Sequence, residues 1–275
     1  MDSIKAHVFD DKDLTEYLKK KGSNHNCYKY YSTISKIVSI RDNKCLYLSQ
    51  GNNWNDITDR NNFNSSNYKK VNYGMCFSYS RDENVAMWML YGGIKKESGM
   101  IDFTKKGIRS VLNTKAISLG YFDQNNNFII KKVINRENFD LYCIDIIYYS
   151  ENGSYYCITR SDERCFTLTK TVFDKLTGCK KTFPWQYENE CRLICSIERD
   201  LLDETCKLVR IDLKEMDLGK SCERLYHGPN FSSLNTRNTL PSKMDNCIDW
   251  DLCDEQCKLK KDIIGTNKAR GEHSV

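Results

Sequence analysis

Apolar and polar residues alternate with a period of two in a long series of short runs, the mark of strands that bury one face. The runs are CYKYYS (27–32), KCLYLSQ, GMCFSYS (74–80), GMIDF, KAISLGYF, NFIIKKVI, LYCIDIIYY, SYYCITR, ECRLICSI, CKLVRIDL and CERLYHG. The Asn-rich turn DQNNN (123–127) joins two of them as a hairpin. Helical spacing is rarer. It fits residues 13–21, the trio Ile34, Ile37 and Val38 behind a Ser32 or Thr33 cap, the stretch VAMWMLY, and residues 166–176. GNNWNDITD and the Asn-rich residues up to Asn67 read as one long polar loop, of the kind that often carries function. Many strands and few helices predict an α+β fold, a mixed and mostly antiparallel β core with a few flanking helices. Residues 1–26 read as an N-terminal appendage, 27–232 as a single domain, and 233–275 as a polar, partly helical tail with an unstructured end after Gly265.

Composition narrows this picture. A chain of 275 residues can bury the core of one large domain. Its formal charge of +5 is modest and evenly mixed, which gives little pull on a phosphate backbone. No apolar run approaches the roughly 20 residues needed to cross a bilayer, and no leader-like segment opens the chain, so a cytoplasmic protein with no membrane partner is expected. The 14 cysteines are scattered without any C-x-x-C and read as reduced, mostly buried thiols. Cys222, Cys247, Cys253 and Cys257 fall at irregular spacing, so no metal is expected.

The common phosphate loops are missing, as are G-x-S-x-G and H-E-x-x-H, and only four histidines are present. Chemistry then falls to carboxylates, tyrosines, hydroxyls or a thiol. In PWQYENECRLICSI, a period of two puts Glu188, Glu190, Arg192 and Ile194 on one strand face. Two carboxylates facing one cleft can hold ribose hydroxyls or stabilise an oxocarbenium-like centre. The same residues also allow a structural reading in which Arg192 neutralises Glu190. In GMCFSYSRDENVAMWMLYGG, Ser78 ends a strand, and Trp88 and Tyr91 share a helix face that can wall a flat ring. Core packing is the plain alternative for that aromatic face. Asn55 and Asp56 in WND, and the cluster Tyr28, Lys29 and Tyr30, complete the candidates, each with a reading as turn cap or surface.

Taken in order, YKYYS, LYLSQGNNWND, CFSYSRDENVAMWMLYGG leading into GMIDF, WQYENECRLI and RLYHGPNF resemble the bacterial domain of unknown function 2971 family. That family typically shows Tyr-Lys-Tyr, Asn-Asp, Cys-Phe-Ser followed by Met-Trp and Tyr, and Trp-x-x-Glu-x-Glu-x-Arg. The resemblance spans roughly residues 27–231. The chain departs from the family at Ile57, which follows Asn-Asp in place of the usual Pro, and in the basic or acidic residues that often flank these motifs, which are partly replaced.

The motif layout is in turn similar to ADP-ribosyltransferases. That similarity implies an ADP-ribosyltransferase-like fold, with Tyr28, Lys29 or Tyr30 at the first site, Ser78, Trp88 and Tyr91 at the middle one, and Glu188 and Glu190 at the last. Glu190 then stabilises the oxocarbenium as nicotinamide leaves, Glu188 orients the acceptor, and Asn55, Asp56 and Arg192 support the site. The expected function is an NAD-dependent ADP-ribosyltransferase-like enzyme, a toxin or antiviral defence effector acting on a protein or nucleic acid, with NAD as substrate. Two alternatives stand beside it. One is a non-enzymatic module that binds a nucleotide or a partner; the other is a metal-dependent nuclease using Asp56, Glu188 and Glu190.

Overall fold

The computed structural model describes residues 11–52, 54, 56–64, 69–80, 84–92, 98–152, 155–159, 165–176, 178–213 and 222–227. The chain opens with α1 (Asp11–Gly22), β1 (Cys27–Thr33), α2 (Ile34–Asn43), β2 (Cys45–Ser49), α3 (Ile57–Asn64) and β3 (Lys70–Ser78). Next come α4 (Val85–Gly92), β4 (Ser98–Thr104), α5 (Lys105–Leu112), β5 (Ala116–Phe122), β6 (Phe128–Asn135), β7 (Phe139–Asp145), β8 (Ile147–Asn152) and β9 (Tyr155–Thr159). The last are β10 (Cys165–Thr169), α6 (Lys170–Lys175), β11 (Lys180–Thr182), β12 (Glu190–Glu198), β13 (Leu208–Asp212) and β14 (Cys222–His227). A 3-10 helix over Phe183–Glu188 links β11 to β12.

These elements make the expected α+β architecture with a mostly antiparallel sheet. Ten strands form the larger sheet, in the order β14-β4-β1-β3-β2-β13-β5-β6, with β12 between β3 and β7. A second sheet has the order β10-β9-β8-β11, in which only β11 and β8 run parallel. The larger sheet forks at β3. One edge of β3 pairs with β12 along its whole length. The other edge is shared, with Ser78 paired to Lys29 of β1 and Gly74 paired to Ser49 of β2.

Alternation explains the layering, because it sends Tyr28, Phe77, Cys191 and Leu193 to one face, where Ile37, Ile40, Ile108 and Val111 of α2 and α5 cover them. The opposite face carries Ile144 and Ile194, which pack with Leu14 and Leu18 of α1, Phe63 of α3, and Tyr148 and Phe173 from the second sheet and α6. A third cluster seats Met87 of α4 on Tyr31 and Met100, with Tyr91 and Tyr187 against it.

Four departures from the alternation pattern have physical causes. Residues 11–22, read as an appendage, are packed into the fold: Leu14 and Leu18 are buried, and Gly22 lies against β7. A Cβ on Gly22 would sit 2.7 Å from the Ile144 nitrogen and 2.8 Å from the Cys143 carbonyl carbon. Gly22→Ala is therefore expected to lower stability by about 1–3 kcal/mol in a urea melt, from overpacking against rigid backbone. The polar loop after Gly51 contains α3, started by Asp56, whose Oδ1 accepts from the Thr58 and Asp59 amides at 2.8 and 3.3 Å. Of its two large apolar residues, Ile57 is exposed and Phe63 is fully buried, which the surrounding asparagines conceal in the pattern. The run LYCIDIIYY is divided between β7 and β8 in different sheets, because both its alternate faces are apolar and a break leaves no mark. Residues 166–176 begin as β10, and only Lys170–Lys175 is helical, with the Thr169 hydroxyl accepting from the Val172 amide.

Cys27, Cys45, Cys76, Cys143, Cys179, Cys191, Cys195 and Cys206 are free thiols. Cys247, Cys253, Cys257 and the tail read as partly helical lie outside the described residues. Among the described residues no helix is long and apolar enough to cross a membrane.

Candidate functional site

Register builds the site. Lys29 of β1 pairs with Ser78 of β3, and Ser78 pairs on its other edge with Glu190 of β12. Partners directly opposite in antiparallel strands present their side chains on one face, so Lys29, Ser78 and Glu190 form a lateral row across three neighbouring strands. All three are buried, at 5%, 1% and 3% exposure. The Lys29 Nζ donates to the Ser80 carbonyl at 2.5 Å. Cys76 and Arg192, also paired, lie one step further along the same face.

The two acids of the opening motif reach this face by different routes. The period of two places both on one strand, but Glu188 ends the 3-10 helix and β12 starts at Glu190. Between them Asn189 takes the left-handed conformation, φ 44° and ψ 58°. Asparagine tolerates that geometry better than most side chains, and the reversal aims both carboxylates at Lys181. Lys181 Nζ donates to Glu188 Oε2 at 2.5 Å and to Glu190 Oε2 at 3.2 Å. The Tyr91 hydroxyl donates to the other Glu188 oxygen at 2.5 Å. Arg192 Nε donates to Glu190 Oε1 at 2.6 Å, and its two terminal nitrogens grip Asp59 of α3 at 2.9 and 2.6 Å. The Arg192 guanidinium, wholly buried, also donates to the Gly178 carbonyl and lies 4.5 Å over the Trp54 ring. Lys181 lies similarly over Trp185 at 4.7 Å.

This hydrogen-bonded network holds three carboxylates and two cations, so one negative charge is in surplus. The surplus falls on Glu188: burial, and next the Glu190 carboxylate, push it up to about 7 despite Lys181. Burial would push Glu190 up as well, but Arg192 and Lys181 hold it below the usual carboxylate range. Burial would likewise lower Lys181, and the charges of Glu190 and Glu188 more than offset this and hold its ammonium above the ordinary lysine range. Tyr91 is pushed far up, by burial first and then by the Glu188 charge, so its hydroxyl stays protonated. Glu190 is thus a fixed anion and Glu188 a carboxyl able to carry a proton near neutral pH.

The structure therefore brings together Lys29, Ser78, Tyr91, Glu188, Glu190 and Arg192. Tyr28 and Tyr30 point to the other face. Tyr28 is fully buried and donates to the Gly22 carbonyl at 2.8 Å, a structural tie. Asp56 caps α3 and does not join the network through any hydrogen bond to it. Asn55 and the side chain of Trp88 lie outside the described residues. The Arg192–Glu190 pair proposed by the structural reading is present, but it is one link in a five-member network. Sequence reasoning missed Lys181 and Asp59. The run CKKTFPWQ, two lysines amid apolar residues, held the only local signal for Lys181; for Asp59 there was none.

A cleft of about 340 Å³ is lined by His25, Tyr79, Asp145 and Tyr148 among others, and His25 meets Asp145 on the sheet face that carries Tyr28 and Cys191, opposite the row. Neither His25 nor Asp145 stood out in the sequence, since one lies in a turn and the other in an apolar run. Searches against protein-family models, curated proteins and solved structures return no match.

Proposed function

We propose that the chain is an NAD-consuming enzyme of ADP-ribosyltransferase type, with a fold of that kind and a protein or nucleic acid as acceptor, in the role of a toxin or antiviral defence effector. The observation that carries the reading is the lateral row Lys29–Ser78–Glu190 on three neighbouring strands. It supplies a cation, a hydroxyl and an anion in line. The Glu190 carboxylate, kept ionised by Arg192 and Lys181, stabilises positive charge on the ribose as the bond to nicotinamide breaks. Ser78 and Lys29 are the polar groups beside it for ribose hydroxyls and phosphate. Glu190 is 3% exposed, so the ribose reaches it only when α4, tied to Glu188 by Tyr91, moves aside.

The test is release of free nicotinamide from NAD by the purified chain, compared with Glu190→Gln. Removing one of three carboxylates leaves two acids against two cations, so this variant keeps a balanced core. Its melting midpoint is expected to stay within about 5 °C of the wild type. Nicotinamide release is expected to fall by about 10²-fold or more, as for other lost charge-stabilising groups. Wild-type protein that releases none overturns the proposal.

A second reading rests on the double ion pairing of Glu190, which is what a structural clamp requires. In it the chain binds a nucleotide without cleaving it. NAD then raises the melting temperature in proportion to its concentration while no nicotinamide appears.

A further inference from the structure

We propose that His25, Asp145 and Cys191 form a binding site for a divalent transition-metal ion of the zinc class, on the sheet face opposite the Lys29–Ser78–Glu190 row. The three come from separate segments: the turn after α1, the end of β7 and the start of β12. No local spacing of the C-x-x-C kind therefore marks them in the sequence. Register supplies two of them, because Cys191 and Asp145 are direct partners in the β12–β7 ladder and so stand on one face. The third comes with α1. Gly22 is seated against β7, and the turn after it brings the His25 ring to this pair. One ligand atom from each of the three residues lies within 4.8 Å of the other two.

All three side chains are enclosed and held. The Asp145 carboxylate, 6% exposed, meets His25 Nε2 through Oδ1 at 2.5 Å. The Cys191 thiol is wholly buried and has no hydrogen-bond partner among the described residues, yet it stands beside a carboxylate and an imidazole. The ring stacks flat on Tyr79, centroids 4.0 Å apart and planes 3° from parallel. The His25 amide donates to the Tyr28 hydroxyl at 3.1 Å, and that hydroxyl donates to the Gly22 carbonyl at 2.8 Å. Ligands fixed in this way by their surroundings lose little freedom when an ion binds.

The donor set selects the ion. One thiolate, one imidazole and one carboxylate suit zinc or cobalt(II), whereas magnesium and calcium take oxygen ligands. With Asp145 and Cys191 ionised, two negative charges cancel the two positive charges of the ion. The Cys191 thiol gives its proton to solvent as the sulfur–metal bond forms, and the imidazole stays neutral with its proton on the nitrogen that does not bind. Metal bonds of about 2.0 Å to nitrogen and oxygen set tetrahedral ligands roughly 3.3 Å apart, so the imidazole and carboxylate need to separate by less than about 1 Å. His25 and Asp145 both line the cleft of about 340 Å³, which gives the ion its way in and leaves a fourth position to water.

The probe is cobalt(II), added to the purified full chain after treatment with a chelator. One equivalent is expected to give a thiolate-to-cobalt absorption band in the near ultraviolet. Zinc is expected to abolish that band by displacement and to raise the melting temperature with the logarithm of its concentration. Cys191→Ser and His25→Ala are each expected to lose the band, and Asp145→Asn to weaken cobalt binding by about 10-fold or more. Cys206→Ser is expected to keep it. Because His25→Ala leaves the β12–β7 ladder untouched, it decides the matter where Cys191→Ser fails to fold. No band from the wild type in a several-fold excess of cobalt overturns the proposal. A band that survives in His25→Ala or in Cys191→Ser also overturns it, since another of the 14 cysteines is then its source. So does an unchanged cobalt affinity in Asp145→Asn. None of these readings depends on nicotinamide release.

Discussion

Arg192→Met is expected to leave most of the chain unfolded at room temperature. The substitution nearly conserves length and removes the cation that Glu190 and Asp59 share. What stays behind is Glu188, Glu190 and Asp59 against Lys181 alone, in a site where Arg192 is 0% exposed and the three acids are 1–3% exposed. Breaking a buried pair in this way costs about 3–5 kcal/mol for each charge newly stranded, and here the surplus of one negative charge grows to two. That is comparable to the whole stability of an ordinary domain, about 5–15 kcal/mol. Asp59→Asn removes two hydrogen-bonded contacts of the same guanidinium, yet it is expected to cost far less, because two acids then face two cations. A urea melt of both variants decides the matter. Equal costs would mean that contacts, and not charge balance, set the stability of this core.

The second large effect is on pH. The Glu188 carboxyl is held at about 7 in the fold against 4.5 in a free chain. Between those values the folded protein binds a proton that the unfolded chain has released. Stability therefore falls as pH rises through this window, and the loss is complete above about 7. The gap of roughly two and a half pH units corresponds to about 3 kcal/mol. Glu188→Gln removes the titration while keeping an acceptor for Lys181 and a partner for Tyr91. Measured from pH 4.5 to 8, the stability of the variant relative to the wild type is expected to rise by about that amount. Parallel curves would show that Glu188 stays ionised throughout.

Both effects depend on residues that the sequence displays unequally. Strands such as KCLYLSQ and ECRLICSI were legible because alternation is a local signal and each has one strongly apolar face. Glu190 and Arg192 were legible as neighbours two apart on such a strand. Glu188 was legible as an acid but not in its geometry, since only the left-handed Asn189 lets a 3-10 helix and a strand aim at one lysine. Lys181 and Asp59 arrive from β11 and α3, and long-range partners of a buried charge leave no trace in spacing. His25 and Asp145 are 120 residues apart and meet only because α1 packs on β7 and directs the turn after it.

The fork at β3 has a mechanical meaning. Among the described residues, Lys29 and Ser78 are the only paired positions joining β1 to β3, whereas β12 is laced to β3 from Glu190 to Glu198. The larger sheet is thus two stiff plates that share a seam, and the row of cation, hydroxyl and anion is stitched across it. Opening the seam breaks few backbone hydrogen bonds, each worth about 1 kcal/mol net. What holds β1, β4 and β14 to β3 at the site is therefore side-chain packing, Tyr28 and Phe103 against Phe77, more than main-chain pairing.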